Sequence, residues 1–335
     1  MIDALKKFKQ LDHLIGNTPL VEINFKYKGK PTKIYSKLEY YNYTGSIKDR
    51  VALYILKKSY VEKKLKDNDI IVEATSGNTG ISFAAIGTYL NHSTHIYMPD
   101  WLSSERIKLL ESFNAKLHLI SKKDGGFKKC ISITKELAQE NKDIFLPNQF
   151  SNYDNILAHY TSTGPEILYT LQRHNILPSS FIAGVGTGGT VMGIGNYLKD
   201  NITNMKVYPL EPLNSPTLST GKSVGSHRIQ GISDEFVPPI LNLKNLNDII
   251  SVDDGDAIIM AQKFSKSLGL GIGISSGANF IGAVKVLEKN NFQDKVITIF
   301  SDDNKKYLST DLTKKEPVKD NFISTDVELL DLNVL

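Results

Sequence analysis

The chain has 335 residues, which is long enough for a large core in two lobes. Hydrophobic residues make up 41% and charged residues 23%, as is ordinary for a globular protein, and the net charge is +4. The small, dispersed charge argues against nucleic-acid binding, and no apolar stretch approaches the length of a membrane span. Cys130 is the lone cysteine, which excludes an internal disulfide and favours a reducing compartment, so we expect a cytoplasmic protein.

The segment 45–50 (Gly-Ser-Ile-Lys-Asp-Arg) begins a predicted helix. Ser46 and Asp49 have the spacing of a capping box, and apolar residues then recur at helical spacing. Lys48 would lie in the first turn, where the helix dipole lowers the pKa of its amine. A neutral lysine is a nucleophile suited to forming a Schiff base. Many first-turn lysines are only solvated, so the motif alone leaves both interpretations open.

Strand-like runs alternate with helical segments along most of the chain. This alternation predicts an α/β fold with parallel-rich sheets flanked by helices. A seam near 150–154 separates two units that each contain a glycine loop. The segment after Thr310 could be an arm across a partner subunit or a frayed tail, and we expect fraying. The strand-like runs are Ile70–Ala74, His95–Met98, Leu117–Ile120, Phe181–Val185, Val207–Leu210 and Val296–Phe300.

Three polar glycine loops are predicted to follow strands. The loop 75–80 (Thr-Ser-Gly-Asn-Thr-Gly) brings three hydroxyls and an amide to a helix N-terminus, which suits a carboxylate. The segment 275–277 (Ser-Ser-Gly) repeats this arrangement after the run Leu270–Ile274. Since ligands bind at the carboxyl ends of parallel strands, we expect the loops to converge on one crevice.

The third loop, 184–189 (Gly-Val-Gly-Thr-Gly-Gly), fits the pattern G-x-G-x-x-G. With Glu211 at the end of the next strand-like run, it would suit an NAD-dependent dehydrogenase. It could also be a tight turn without a ligand. The segment 186–190 offers backbone N–H groups and two threonine hydroxyls, which suits a single phosphate monoester. The loop alone does not decide among these functions.

Together these motifs resemble the fold-type II pyridoxal phosphate enzymes, in the branch of cysteine synthase (O-acetylserine sulfhydrylase) and cystathionine β-synthase. The motifs stand in the family's order. They are 15–20 (Ile-Gly-Asn-Thr-Pro-Leu), 37–39 (Lys-Leu-Glu), 45–50, 75–80, 148–150 (Asn-Gln-Phe), 158–160 (Ala-His-Tyr), 163–167 (Thr-Gly-Pro-Glu-Ile), 186–190, 275–277 and 307–310 (Tyr-Leu-Ser-Thr).

The resemblance implies a pyridoxal 5'-phosphate cofactor, an amino-acid substrate, a homodimer and a two-domain fold like that of the tryptophan synthase β subunit. A smaller domain of residues 40–152 would carry the substrate loop and move on binding. Residues 15–39 and 153–312 would form the larger cofactor domain, and 313–335 a C-terminal tail. No metal site is expected, because the histidines lack metal-ligand spacing.

The resemblance also implies residue roles. Lys48 would form the Schiff base with the cofactor and move the substrate's α-proton, and Ser76 is included among the catalytic residues. Asn78 would contact the cofactor's ring hydroxyl, and Ser275 would meet its pyridine nitrogen. The phosphate would be held by Gly186, Thr187, Gly188, Gly189 and Thr190. The substrate carboxylate would be bound by Thr75, Ser76, Thr79 and Gln149.

One segment departs from the sulfhydrylase pattern. Residues 230–238 (Gln-Gly-Ile-Ser-Asp-Glu-Phe-Val-Pro) replace a glycine-rich loop over the substrate's β-carbon and introduce Asp234 and Glu235. A carboxylate there would repel hydrosulfide but could serve as a general base for water. We therefore hypothesise a cysteine (hydroxyl) lyase type of enzyme, which releases hydrogen sulfide from L-cysteine and adds water to an α-aminoacrylate to give L-serine, with Asp234 as base.

Other interpretations stay open. The two acids could be a solvated pair or contact a dimer partner, and Glu235 is a weaker candidate for the base than Asp234. The enzyme could be a cysteine synthase that joins O-acetyl-L-serine to sulfide. A dehydrogenase would leave Lys48 without a use, and a non-catalytic binding protein would have no need of Lys48, Asn78 and Ser275.

Overall fold

The computed structural model describes residues 2–75 and 77–335, in which helices and strands alternate. The helices are α1 Ile2–Leu14, α2 Lys48–Val61, α3 Asn78–Tyr89, α4 Ser104–Ser112, α5 Gly126–Glu140, α6 Asp154–Ala158, α7 Gly164–Arg173, α8 Gly189–Asn201, α9 Thr217–Thr220, α10 Asp254–Leu268 and α11 Ile274–Lys289. The strands are β1 Leu20–Tyr27, β2 Lys30–Leu38, β3 Ile70–Ala74, β4 Thr94–Pro99, β5 Lys116–Ile120, β6 Ile144–Phe145, β7 Ser180–Gly184, β8 Lys206–Pro212, β9 Ile250–Val252, β10 Val296–Phe300 and β11 Val327–Val334. Among these helices none has both the length and the apolar character needed to cross a membrane.

The strands form two sheets. The larger has the order β11-β1-β2-β10-β7-β8-β9, and the smaller has the order β5-β4-β3-β6. The smaller sheet is parallel throughout, as is the larger from β2 to β9, whereas β1 runs antiparallel to both of its neighbours. The predicted α/β class with parallel-rich sheets is therefore confirmed, and each of the six strand-like runs named from the sequence contains a strand.

Helices cover both faces of the larger sheet. In β10, Val296 and Phe300 pack with α10 and α11, and Ile297 and Ile299 pack into the cluster that contains α7 and α8. Every residue of β10 is buried. This explains why the strand does not alternate between apolar and polar residues, since alternation requires one solvent-exposed face. Its one polar residue, Thr298, donates its hydroxyl to the Ile182 carbonyl at 2.9 Å.

The C-terminal segment does not fray, so that prediction was wrong. Strand β11 pairs antiparallel with β1 from Val21↔Val334 to Tyr27↔Val327. Asp256 on α10 accepts hydrogen bonds from the N–H groups of Ile323 and Ser324 at 3.0 and 2.8 Å, which fixes the approach to the strand. The segment therefore covers the edge of β1 within its own chain.

The expected strand at 270–274 is also absent, and this prediction was wrong. The run makes only an isolated bridge from Ile272 to Asp303, and α11 begins at Ile274. Glycines interrupt the run: a Cβ at Gly273 would lie 2.0 Å from the Asp302 Oδ1 atom. Ser275 therefore lies in the first turn of a helix and does not follow a strand.

Candidate active site

One cavity brings together most of the residues that the sequence singles out. It lies where the N-terminal ends of α2, α3, α8 and α11 meet, and it draws on both sheet units. Gly189 begins α8 beside the cavity, and Ser76 lies outside the described residues. The predicted residues that line the cavity are Lys48, Thr75, Asn78, Thr79, Gln149, Gly186, Thr187, Gly188, Thr190, Asp234 and Ser275.

Lys48 is the first residue of α2, but the predicted capping box does not form. The Ser46 hydroxyl accepts from the Lys48 N–H at 3.3 Å, one residue earlier than a capping box requires. The Asp49 carboxylate accepts from the Thr44 N–H at 2.7 Å and from the Ser82 hydroxyl at 2.6 Å, so it turns away from Ser46. The start of the helix is thus fixed by tertiary contacts that the local pattern does not contain.

The environment of Lys48 favours its neutral form. Burial lowers the pKa of its amine, and the nearby carboxylates of Asp234 and Asp302 oppose this shift. A lowered pKa increases the fraction of free amine, which is the nucleophilic form.

The loop between β7 and α8 is built for close approach of an anion. A Cβ at Gly186 would lie 2.5 Å from the Gly231 carbonyl oxygen, and Gly188 adopts a left-handed φ of +88°, so both positions require glycine. Among the described residues no side chain caps the N-cap residue Gly188. The Gly189 N–H donates to the Thr187 hydroxyl at 3.3 Å, which leaves the N–H groups that follow it in the first turn of α8 for a ligand. These features fit a phosphate monoester.

Glu211 is not placed to serve a dinucleotide. Its side chain is fully buried and accepts from the Leu218 N–H at 2.7 Å, the Ser251 hydroxyl at 3.3 Å and the Ser219 hydroxyl. These internal contacts use the oxygens that would have to bind a ribose hydroxyl.

One polar side-chain atom of Asn78 has a hydrogen-bond partner among the described residues, and the other has none. Its Nδ2 atom donates to Asp302 Oδ2 at 2.7 Å, and its buried Oδ1 atom has no hydrogen-bond partner among the described residues. Tyr307 donates to the same Asp302 oxygen at 2.6 Å, and Arg106 donates to Tyr307 at 3.0 Å. Sequence reasoning missed Asp302 and Arg106, which lie far from the glycine loops in the chain and belong to no recognised motif.

Gln149 lines the cavity from a turn that is hydrogen-bonded to a buried acid, Glu73. Its side-chain amide donates to the Ala74 carbonyl at 2.9 Å, and its backbone N–H donates to Glu73 Oε2 at 3.2 Å. Burial raises the pKa of Glu73 to about 8, although backbone N–H groups of Gln149, Ala74 and Asn148 favour the carboxylate. Glu73 thus connects β3, which leads into the loop 75–80, to the turn that carries Gln149.

The adjacent acids Asp234 and Glu235 have different surroundings. Asp234 lines the cavity with Lys48, and burial raises its pKa to about 6, with Lys48 lowering it and Glu235 raising it. The Glu235 side chain is 44% exposed and lies 4.0 Å from Lys128. Only Asp234 of the two therefore faces the lysine.

Asp234 follows a tightly held turn. Ser233 has a left-handed φ of +53°, its N–H donates to the Val185 carbonyl at 2.7 Å, and its hydroxyl donates to the Ser215 carbonyl at 3.1 Å. The Ser233 carbonyl accepts from His227 Nε2 at 2.9 Å. Since a carbonyl is only an acceptor, Nε2 of His227 carries a hydrogen.

Known proteins resemble the chain over nearly its whole length. A family model described as pyridoxal-phosphate dependent enzyme matches residues 11–302. Cysteine synthase B from Campylobacter jejuni is 40% identical over 309 residues, which cover 92% of this chain and 99% of that relative. The crystal structure of a hydrogen sulfide-producing enzyme from Fusobacterium nucleatum is 55% identical, with a TM-score of 0.96 and 99% of each chain covered.

A second structure of the Fusobacterium enzyme, an aspartate-to-asparagine mutant, is complexed with an alpha-aminoacrylate intermediate. It is 55% identical to this chain, has a TM-score of 0.97 and covers 98% of this chain and 99% of its own. The family, fold class and cofactor expected from the sequence are thus confirmed, and β-replacement chemistry is supported. The chain belongs to the pyridoxal-phosphate dependent enzymes, as a fold-type II member of the cysteine synthase-like group.

Proposed function

We propose that this enzyme releases hydrogen sulfide from L-cysteine and adds water in its place, giving L-serine, with Asp234 as the general base for water. The observation that carries the proposal is the position of Asp234, a carboxyl with a pKa raised to about 6 that lines the same cavity as Lys48. A base with a pKa near the working pH accepts a proton efficiently and remains largely ionised.

The cavity residues fit the cofactor. Lys48 would hold its aldehyde carbon covalently, and the glycine loop at 186–190 would bind its phosphate through N–H groups and the hydroxyls of Thr187 and Thr190. Asn78, with its unpaired Oδ1, would face the ring hydroxyl, and Ser275 the ring nitrogen. When bound, pyridoxal phosphate supplies an electron sink that makes loss of a group from the substrate's β-carbon feasible.

The side chains around the cavity would do the remaining work. Lys48, whose pKa is lowered by burial, would take the α-proton as a free amine. Thr75, Thr79 and Gln149 would bind the α-carboxylate at the N-terminus of α3. Asp234 would hold a water molecule and take its proton as the oxygen attacks the β-carbon, and its negative charge would disfavour return of hydrosulfide.

Replacing Asp234 by Asn tests the base directly. Asn keeps the shape but cannot accept the proton, so we expect steady-state L-serine formation to fall by about 100-fold or more. Release of the first equivalent of sulfide per active site should persist, because that step precedes addition of water. The measurement is a rapid-mixing assay of sulfide and serine.

Glu235→Gln is the matched control, since Glu235 is exposed beside Lys128. It should keep serine formation within about twofold of wild type. Undiminished serine output by Asp234→Asn, or an equal loss in Glu235→Gln, would refute the assigned role of Asp234.

Cysteine synthase activity is the second candidate, because a cysteine synthase is 40% identical over nearly the whole chain. The two activities are distinguished by comparing kcat for L-serine formation from L-cysteine alone with kcat for L-cysteine formation from O-acetyl-L-serine plus sulfide. We expect the first to be larger, since hydrosulfide would have to approach Asp234.

We also propose a cytoplasmic homodimer in which residues 40–152 move as a unit when substrate binds. The separate four-stranded sheet within this range supports an independently moving unit. The single cysteine, Cys130, is buried and has a pKa raised by burial to about 11, which is consistent with packing in a reducing compartment. Sedimentation analysis tests the dimer.

A further inference from the structure

Arg106 is a buried cation in the wall of the active-site cavity that the proposed chemistry does not use. It is 1% exposed, and its Nη2 atom donates to the Tyr307 hydroxyl at 3.0 Å, with the guanidinium carbon 4.9 Å from the Tyr307 ring centre. Its Nε and Nη1 atoms are buried and have no hydrogen-bond partner among the described residues. At least two donors of one charged group are thus left for a ligand.

The unpaired state of this guanidinium is costly without a ligand. Burying a charge is unfavourable unless it is paired and its donors are satisfied. Within the described part of the chain, Arg106 forms no ion pair, and its one hydrogen-bond acceptor is a neutral phenol. A ligand with a negative charge would relieve this cost.

The guanidinium lies against the loop that precedes α3. A Cβ at Gly77 would lie 2.8 Å from Arg106 Nε and 3.1 Å from its Cζ, so the glycine allows the charge to approach the loop backbone. Within the described residues no side chain caps the N-terminus of α3, and Thr75 and Thr79 line the same cavity. A buried cation, free helix N–H groups and two hydroxyls thus converge, and all of them favour an anion.

We propose that Arg106 binds the α-carboxylate of the substrate and selects amino acids with a free carboxylate over their amides and esters. This inference rests on the proposed function, because it takes the cavity as an amino-acid site. Arg106 approaches the site from α4, which is distant in sequence from the 75–79 loop. It adds a charged group to a site that otherwise consists of hydroxyls, amides and backbone N–H groups.

The test is a comparison of two ligands that differ only in the carboxylate. Isothermal titration calorimetry of the pyridoxal phosphate-loaded enzyme measures dissociation constants for L-alanine and L-alaninamide, neither of which has a leaving group. In Arg106→Gln, we expect L-alanine to bind about tenfold or more weakly and L-alaninamide to change by less than about twofold, because only the former loses a charge-assisted contact. The readout is the dissociation constant of L-alaninamide divided by that of L-alanine, and this ratio is independent of turnover.

Lys108→Gln is the matched control, because it removes an exposed positive charge from the same helix, α4, outside the cavity. It should keep the wild-type ratio within about twofold. If Arg106→Gln does not fold, Arg106→Lys is measured instead. Its ratio of dissociation constants should be lower than that of the wild type by about threefold or more, since an ammonium lacks the planar donors of a guanidinium.

An unchanged ratio in the Arg106 variants would overturn the inference, and equal weakening of both ligands would assign Arg106 a packing role instead. If wild-type enzyme holds its cofactor and binds neither ligand, the proposed amino-acid site itself is contradicted. This outcome is distinguishable from an unchanged ratio in the Arg106 variants, which contradicts only the role of Arg106.

Discussion

The two neighbouring acids at 234 and 235 illustrate what a single side chain contributes. They are chemically alike, yet one faces Lys48 in a cavity and the other faces solvent beside Lys128. The sequence could identify the pair, because acids replaced an expected glycine-rich loop. The sequence favoured Asp234, but which acid faces inward is decided by the turn at Ser233, whose left-handed φ is unusual for a serine and has no local sequence signal.

The pH dependence of turnover should report the ionisation of Asp234. A general base works only when deprotonated, and burial raises the pKa of Asp234 to about 6. Serine formation should therefore be fully present above this pH and fall as pH drops through about 6, by about tenfold per unit below it. The measurement is kcat for L-serine formation at saturating L-cysteine from pH 5 to 8.

In Asp234→Asn the residual activity should lack this acidic limb, and Glu235→Gln should retain it. An unshifted limb in Asp234→Asn would assign the titration to another group.

At the scale of elements, connections distant in sequence hold the site residues in place. The turn at 233–234 is hydrogen-bonded to Val185, the residue that follows β7, and to His227. The Gln149 turn is tied to β3 through Glu73. Strands and glycine loops could be predicted because local sequence patterns indicate them. The capping contacts of α2 and the pairing of β11 with β1 could not, because they depend on residues distant in sequence.

Loss of the His227 contact should loosen the turn that carries Asp234. His227→Leu removes the donor to the Ser233 carbonyl, so we expect serine formation to slow by about tenfold while the first equivalent of sulfide is still released. His227→Gln can donate to the same carbonyl and should restore most of the rate. Rapid-mixing kinetics on both variants measure this difference. Equal rates for Leu and Gln would show that the hydrogen bond does not position Asp234.

Glu73 should make stability depend on pH. Its pKa is raised from 4.5 to about 8, so the folded protein binds more protons than the unfolded chain between these values. Stability is therefore greatest at the acidic end of this window and falls as pH rises through it, by an amount on the order of a few kcal/mol. Urea unfolding at pH 5 and 8.5 measures the fall.

Glu73→Gln cannot ionise, so its free energy of unfolding should change less between the two pH values than that of the wild type. The same pH slope in both proteins would mean that Glu73 is not the group responsible.

At the scale of the whole molecule, two sheet units contribute to one cavity. The placement of Lys48, the loop 186–190 and Ser275 at this cavity could be predicted from the sequence, because each lies at a helix N-terminus within a recognisable motif. Arg106 and Asp302 could not, because their importance comes from burial and from contacts made across 200 or so residues of chain, as with the Arg106–Tyr307 hydrogen bond. The family, fold and cofactor follow from motif order, whereas we expect the choice between water and sulfide to depend on the few residues around Asp234.

The most direct test of the overall reaction is isotope tracing with wild-type enzyme, its cofactor and L-cysteine alone in water enriched in oxygen-18. We expect equimolar hydrogen sulfide and L-serine, with one oxygen-18 atom in the serine hydroxyl detected by mass spectrometry. Absence of labelled serine, with efficient formation of L-cysteine from O-acetyl-L-serine and sulfide, would contradict water as the nucleophile.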